Sequence, residues 1–262
     1  MEAGDILEQI RQADMVLVGL GEEFDEEQCL REDAVYLRGS EKLHHAGCPW
    51  MIPAWNEYCT ARHGKHTVAP AIKKLMNILE HKNFFIVSIS TNSAIVQSLG
   101  GEDRLVTPCG GALKKQCGKN CGSEPMPVSE NDRETLNKIF GELYQARVIE
   151  EIPKLGKCTE CGSDMVLNNI FAENYNERGY LDDWQLYTKW LQGTLNRKLL
   201  VLELGVGMKY PSVIRWPFEK VVVYNQKAFL CRINEKIYQL PQEISTKGCG
   251  ISQNAIAWLG QL

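Results

Sequence analysis

Four cysteines limit what this chain can fold into more than any other feature. Cys117 and Cys121 stand with three residues between them, Cys158 and Cys161 with two, and 36 residues separate the pairs. Two close thiol pairs, distant in sequence, suit a four-coordinate structural zinc. Each short loop presents two sulfurs from one side, and the far pair closes the cage. Gly118, Gly122 and Gly162 beside the cysteines allow the tight turns such loops need. The spacing predicts a small zinc-binding lobe over 106–165. It carries an inserted helix over Asn131–Ile149, with Leu136, Ile139, Phe140, Leu143 and Tyr144 at helical intervals.

The flanking sequence alternates between strand and helix signals. Met15–Gly21, Phe84–Ser90 and Lys198–Leu204 are apolar runs of buried-strand character, and Arg104–Val106 is a shorter one. Lys220–Tyr224 and Ala228–Ile233 read as two further β-type runs. Asp5–Ala13, Thr67–His81, Asp182–Leu195 and Ile251–Leu259 read as helices, the third with Trp184, Leu186, Tyr187, Trp190 and Leu191 mostly inward. The stripe Trp50, Ile52, Trp55, Tyr58 after Pro49 suits a core face better than a pocket wall. Together these predict an α/β protein: an open parallel sheet with helices on both faces, built from 1–105 and 166–262, and the small zinc-binding domain at 106–165, to which helical elements of 22–66 could be added.

In an open parallel sheet, ligands bind at the carboxyl ends of the strands. Three candidate loops stand there: Gly19-Leu20-Gly21, Thr91-Asn92-Ser93 and Gly205-Val206-Gly207. Glycines at such ends let a phosphate approach the backbone. Against that, Glu22, Glu23 and Asp25 follow the first loop at once. Carboxylates there repel phosphate, and an acidic helix entrance explains them equally well.

The net charge of −4 lacks the basic footprint of a nucleic-acid binder. No apolar run approaches the roughly 20 residues of a membrane span. The opening MEAGDILEQI is too polar for a signal peptide. Ten cysteines, four of them in metal spacing, fit a reducing compartment, so the cytoplasm is the expected location. The other six (Cys29, Cys48, Cys59, Cys109, Cys231 and Cys249) read by default as buried thiols. His44, His45, His63 and His66 read as surface residues.

The order of these pieces resembles the sirtuins: strand-Gly-x-Gly, strand-Thr-Asn, a glycine bend before two zinc pairs, strand-Gly-x-Gly, strand-Ile-Asn. Leu202-Glu-Leu-Gly-Val-Gly-Met-Lys-Tyr-Pro-Ser-Val-Ile-Arg-Trp-Pro-Phe-Glu219 and Gln116-Cys117 most resemble the sirtuin class found in microbes beside macrodomain and lipoate-carrier proteins. The resemblance implies NAD⁺ in a cleft between a Rossmann-like domain and a zinc domain, with cleavage of the nicotinamide–ribose bond. It also implies transfer of ADP-ribose to an acyl-lysine oxygen (deacylation) or to a protein side chain, with a lipoyl-carrier protein as a candidate partner. Carried over by position, Gly19 and Gly21 fall on the first phosphate loop, and Asn92 on the asparagine at the nicotinamide ribose. Gly205 and Gly207 fall on the second phosphate-side loop, which usually ends in serine. Asn234 falls on the adenosine-ribose asparagine, and Gly250 and Ile251 lie near the adenine. The zinc, held by Cys117, Cys121, Cys158 and Cys161, has no open position and does no chemistry.

The chain departs from the pattern at several points. The general-base histidine, a glutamine in the macrodomain-associated class, falls on Cys109. The aspartate two residues after the asparagine is Ala94. The Ala-Gly-x-Ser continuation of the first loop is replaced by Leu20 and then Glu22-Glu23, and no Asp-Phe-Arg element occurs in 22–66. Cys109 is therefore either a thiolate base or nucleophile, or a small structural residue. The reading is an NAD-dependent ADP-ribosyltransferase or deacylase using Asn92 and Cys109. The rival reading is a catalytically degenerate relative that binds NAD or ADP-ribose.

Overall fold

Two sheets of unlike character divide the chain. The computed structural model describes residues 3–25, 30–64, 67–99, 103–145 and 154–262. Cys29, His66 and residues 146–149 of the expected inserted helix lie outside them. Strands β1 (Met15–Leu20), β2 (Asn83–Ser88) and β3 (Leu105–Val106) join β7 (Leu199–Leu204), β8 (Ala228–Ile233) and β9 (Gly248–Ile251) in one sheet of order β3-β2-β1-β7-β8-β9. Every pairing in it is parallel. A second, antiparallel sheet has the order β5-β4-β6, from β4 (Gly110–Cys117), β5 (Met126–Pro127) and β6 (Met165–Asn169).

Burial on both faces explains the continuous apolar runs of the large sheet, since every residue of β1 and β7 is buried. Val16, Val18 and Leu20 face one side, where they meet α1 (Ala3–Gln12), α4 (Val68–Ile78), α5 (Ser93–Leu99) and α9 (Ala255–Gln261). Met15 and Leu17 face the other, under α7 (Leu181–Gln192) and α8 (Arg215–Tyr224). In α7 Tyr187 is buried, while Leu186 is 43% exposed and does not point inward as expected.

The small lobe has its own core. There α2 (Ala34–His45), α3 (Ile52–Arg62) and α6 (Glu130–Tyr144) pack on β4 and β6 through Leu43, Trp55, Phe140 and Leu167. The aromatic stripe running from the 3₁₀ turn Pro49–Met51 into α3 is core: Trp50 and Trp55 are buried, and Trp55 and Tyr58 both meet the Phe140 ring. His63 is held by Asp33 at 2.5 Å. Two sequence expectations are corrected. Lys220–Tyr224 is the end of helix α8, not a strand; its β-branched Val222 is buried against the sheet beside Phe218, and Pro217 sits in the first turn. The closing helix begins at Ala255, because Gly248–Ile251 forms the edge strand β9 first.

Candidate functional site

Strand order reverses beside β1, with β2 and β3 to one side and β7 to β9 to the other. Loops leaving the carboxyl ends at such a point bound a crevice. Gly21 stands there for close backbone approach: a Cβ added to it would collide with the Gly205 carbonyl and Val206 Cα. Gly205 adopts φ +63°, which favours glycine. Gly19 lies lower, inside the sheet. A Cβ on it would meet Ile214 at 2.6 Å and Phe218 at 2.9 Å, so it makes room for α8 and presents nothing to the crevice.

Main-chain amides gather at this strand end, and they are engaged. Residues Glu22–Asp25 form one 3₁₀ turn after β1. Glu22 accepts from Gly207 N at 2.5 Å and Lys209 N at 2.8 Å, one on each carboxylate oxygen. Glu23 accepts from Glu235 N at 2.9 Å and Ala255 N at 2.6 Å, again one per oxygen. Asp25 takes the Ser90 hydroxyl at 2.6 Å and Thr91 N at 2.8 Å. Amides from the segments after β7, β8 and β9 thus converge on two carboxylates. Burial raises the Glu23 carboxyl above its ordinary pKa, and the two amides work against that rise. The amides form an anion-binding set, and the anions seated in it belong to the chain.

The predicted asparagines stitch the same loops. Asn92 Nδ2 donates to the Phe24 carbonyl at 3.2 Å, and its Oδ1 accepts from Ala94 N at 2.9 Å. Asn234 Nδ2 donates to the Val206 carbonyl at 3.2 Å, and its Oδ1 accepts from Lys236 N and Ile237 N. The Ile251 carbonyl accepts from Asn234 N at 3.2 Å. Of the predicted residues, Gly21, Asn92, Gly205, Gly207, Asn234 and Ile251 therefore gather at one end of the sheet, and Gly19 does not.

Cys109 is 2% exposed, and burial pushes its thiol up to about 12, with the charges of Asp25, Lys209 and Glu22 acting on it as smaller influences. A thiol so placed keeps its proton at neutral pH, which favours the structural one of the two roles left open for Cys109. Between the lobes a cavity of about 280 Å³ is lined by Asn92, Ser93, Gly111, Lys114, Asn168 and Tyr175. Asp183 also lines it, its carboxyl raised by burial. Neither Asp183 nor Tyr175 stood out in sequence, because nothing local to them marks a cleft.

The four zinc-spaced cysteines meet. Their sulfurs all lie within 4.8 Å of one another, with Cys117 and Cys161 3.4 Å apart and Cys121 and Cys158 3.6 Å apart. A tetrahedral zinc at about 2.3 Å from each sulfur would space them by about 3.8 Å. The donor set fits a structural zinc with no open position. The Ser123 hydroxyl, followed by the amides of residues 161 and 160, draws Cys158 down to about 6. Gly122 and Gly162 turn with positive φ as expected, but Gly118 does not; Asn120 takes that role at φ 48°.

No family model matches the chain. Among solved structures, one from work on sirtuin substrate affinity aligns with 100% of this chain and 97% of its own, at TM-score 0.56 and 12% identity. The fold is that of the sirtuins. A Sir2 protein with a p53 peptide and NAD⁺ aligns over the same shares at TM-score 0.54 and 11% identity. A protein ADP-ribosyltransferase of Staphylococcus aureus is 21% identical over 210 residues, 77% of this chain and 65% of its own length. A probable bifunctional ADP-ribose hydrolase/ADP-ribosyltransferase of Fusarium oxysporum f. sp. cubense is 29% identical over 128 residues, 47% of this chain and 20% of its own. The matches thus span less than two thirds of either relative. Among the described residues no helix is long and apolar enough to cross a membrane.

Proposed function

We propose that this sirtuin-fold chain is an NAD⁺-dependent protein ADP-ribosyltransferase, with deacylation as its second possible outcome. The observation that carries the reading is the convergence of four main-chain amides on two carboxylates, Glu22 and Glu23, at the strand reversal. Such a donor set suits a pyrophosphate. Bound there, NAD⁺ would supply an activated ribose and a leaving nicotinamide. Gly207, Lys209, Glu235 and Ala255 would hold its phosphates through their N–H groups, and Asn92 would stand at the passage to the interlobe cavity. That cavity, walled by both lobes, suits the acceptor side chain or acyl-lysine of a protein substrate, which on entering would displace water from the reacting end. A lipoyl-carrier protein is the first acceptor to try. The relatives with ADP-ribosyltransferase names support transfer over hydrolysis of an acyl group, as does the lack of a titrating residue at 109.

Incubation with NAD⁺ and candidate acceptors tests this by mass spectrometry. Nicotinamide release together with an acceptor heavier by one ADP-ribose is the expected result. No release with any lipoyl-carrier or acyl-peptide acceptor would remove the enzymatic reading. A second reading, a silent binder of NAD or ADP-ribose, is favoured by the carboxylates seated among the amides. It predicts calorimetric heat with ADP-ribose and no nicotinamide.

A further inference from the structure

We infer that Glu22 and Glu23 are internal competitors for the dinucleotide's pyrophosphate and set the affinity of the cleft. The inference rests on the NAD⁺ reading above and deepens it.

Two independent features of the crevice point the same way. The first is hydrogen bonding. Glu22 holds Gly207 N and Lys209 N, and Glu23 holds Glu235 N and Ala255 N. Four carboxylate oxygens face four amides, one each, so an incoming anion finds every one of these donors occupied. The second is space. Glycines at strand ends leave room for a ligand to reach the backbone, and here the two glutamates fill that room. A Cβ added at Gly207 would meet the Glu22 carboxylate at 2.8 Å, and one at Gly205 would meet Glu23 Cβ at 2.6 Å. Both residues sit on one 3₁₀ turn, so a single rearrangement of 22–25 withdraws both carboxylates. Helix α9 does not need Glu23 as its cap, because Asn254 already accepts from Ile256 N and Ala257 N.

A pyrophosphate therefore enters by exchanging charge-assisted hydrogen bonds for others of the same kind, not by forming new ones. The exchange gains little, and the displaced carboxylates stay close enough to repel the phosphates. Removing one carboxylate frees two amides and takes away one repelling charge.

Calorimetry with ADP-ribose and with NAD⁺ on the full chain tests the inference, comparing the parent with Glu22→Ala. Tenfold or greater tightening in Glu22→Ala is expected on the order of charge-assisted hydrogen-bond strengths. Glu22→Gln, which keeps the side chain's length, replaces it where Glu22→Ala fails to melt cooperatively, and should tighten binding in the same direction. If the parent binds and the folded variants bind equally or more weakly, the competitor role is overturned while the NAD⁺ reading stands. If parent and variants all give no heat with either nucleotide, the NAD⁺ reading falls and takes the inference with it.

Discussion

Burial holds the Cys109 thiol at a pKa of about 12, so about one molecule in 10⁵ carries the thiolate at pH 7. A positioned general base contributes on the order of 100-fold or more. These magnitudes separate the two roles open to this position. We expect Cys109→Ser to change nicotinamide release by less than about threefold, with no limb in its pH profile assignable to a thiol. A loss on the scale of a general base would restore Cys109 to the chemistry. The contrast with the zinc cysteines is instructive at this scale. Their role is written in local spacing, which the fold has only to honour. Glu22 and Glu23 are also conspicuous in sequence, directly after a strand-end glycine, but whether they face the crevice or water is not local. It depends on where the segments carrying Gly207, Glu235 and Ala255 arrive, and those follow three other strands.

Among the elements, those legible in sequence are the ones whose burial is uniform. Strands β1, β2 and β7 are buried along nearly their whole length and mostly apolar, and they read directly. Strand β4 is Gly-Gly-Ala-Leu-Lys-Lys-Gln-Cys, half buried and glycine-led, so its first residues read as a bend. Strand β9 is Gly-Cys-Gly-Ile, an edge strand fixed by pairing with β8 and not by its own propensity. Helix α8 carries three valines, which read as strand until Phe218 and Val222 are seen to cover the sheet. A buried pair was equally unreadable: Glu203 and Arg232 sit in register on β7 and β8, 2.5 Å apart, each surrounded by apolar sequence.

The inserted helix α6 offers a test at this level. Ser129 and Asp132 form a capping box, and Lys115 of β4 reaches Asp132 at 2.7 Å. Burial alone would raise the Asp132 carboxyl, but hydrogen bonds from Lys115 and Ser129 outweigh it and hold the group below its ordinary value. A carboxylate depressed by folding stabilises above its unfolded pKa of about 3.9, and that contribution is lost as pH falls through the folded value. Asp132→Asn should therefore cost about 2 kcal/mol at pH 7 in denaturant melts. The gap from the parent should shrink steadily below about pH 4. A gap that stays constant with pH would show that packing of the side chain, and not its charge, holds the helix end.

Across the whole molecule the two lobes depend on different things. The large sheet is stabilised by burial on both faces, and among the described residues neither of its two cores includes a zinc ligand. In the small lobe two of the four ligands belong to the core itself, since Cys117 is fully buried and Cys158 is 5% exposed among Leu136, Leu155 and Leu167, while Cys121 and Cys161 are exposed. Without a metal, burial pushes the Cys117 thiol up to about 11, so this thiolate forms only when zinc compensates for its lost hydration. Removing zinc should then loosen one lobe and spare the other. In hydrogen exchange after chelation, or in Cys158→Ser, the amides of α3, α6 and β4 should exchange faster while those of β1, β2 and β7 stay protected. Zinc content should fall from about one per chain. The cleft would report the same asymmetry. A Cβ on Gly111 of β4 would lie 2.8 Å from the Thr91 carbonyl, so β4 is pressed against the strand end that carries Asn92. Loss of zinc should thus reduce nicotinamide release through the cavity wall, although the metal touches no reacting atom. ADP-ribose binding by Glu22→Ala should persist, because its amides come from the large sheet. Uniform acceleration of exchange across both lobes would instead mean that the chain unfolds as one cooperative unit.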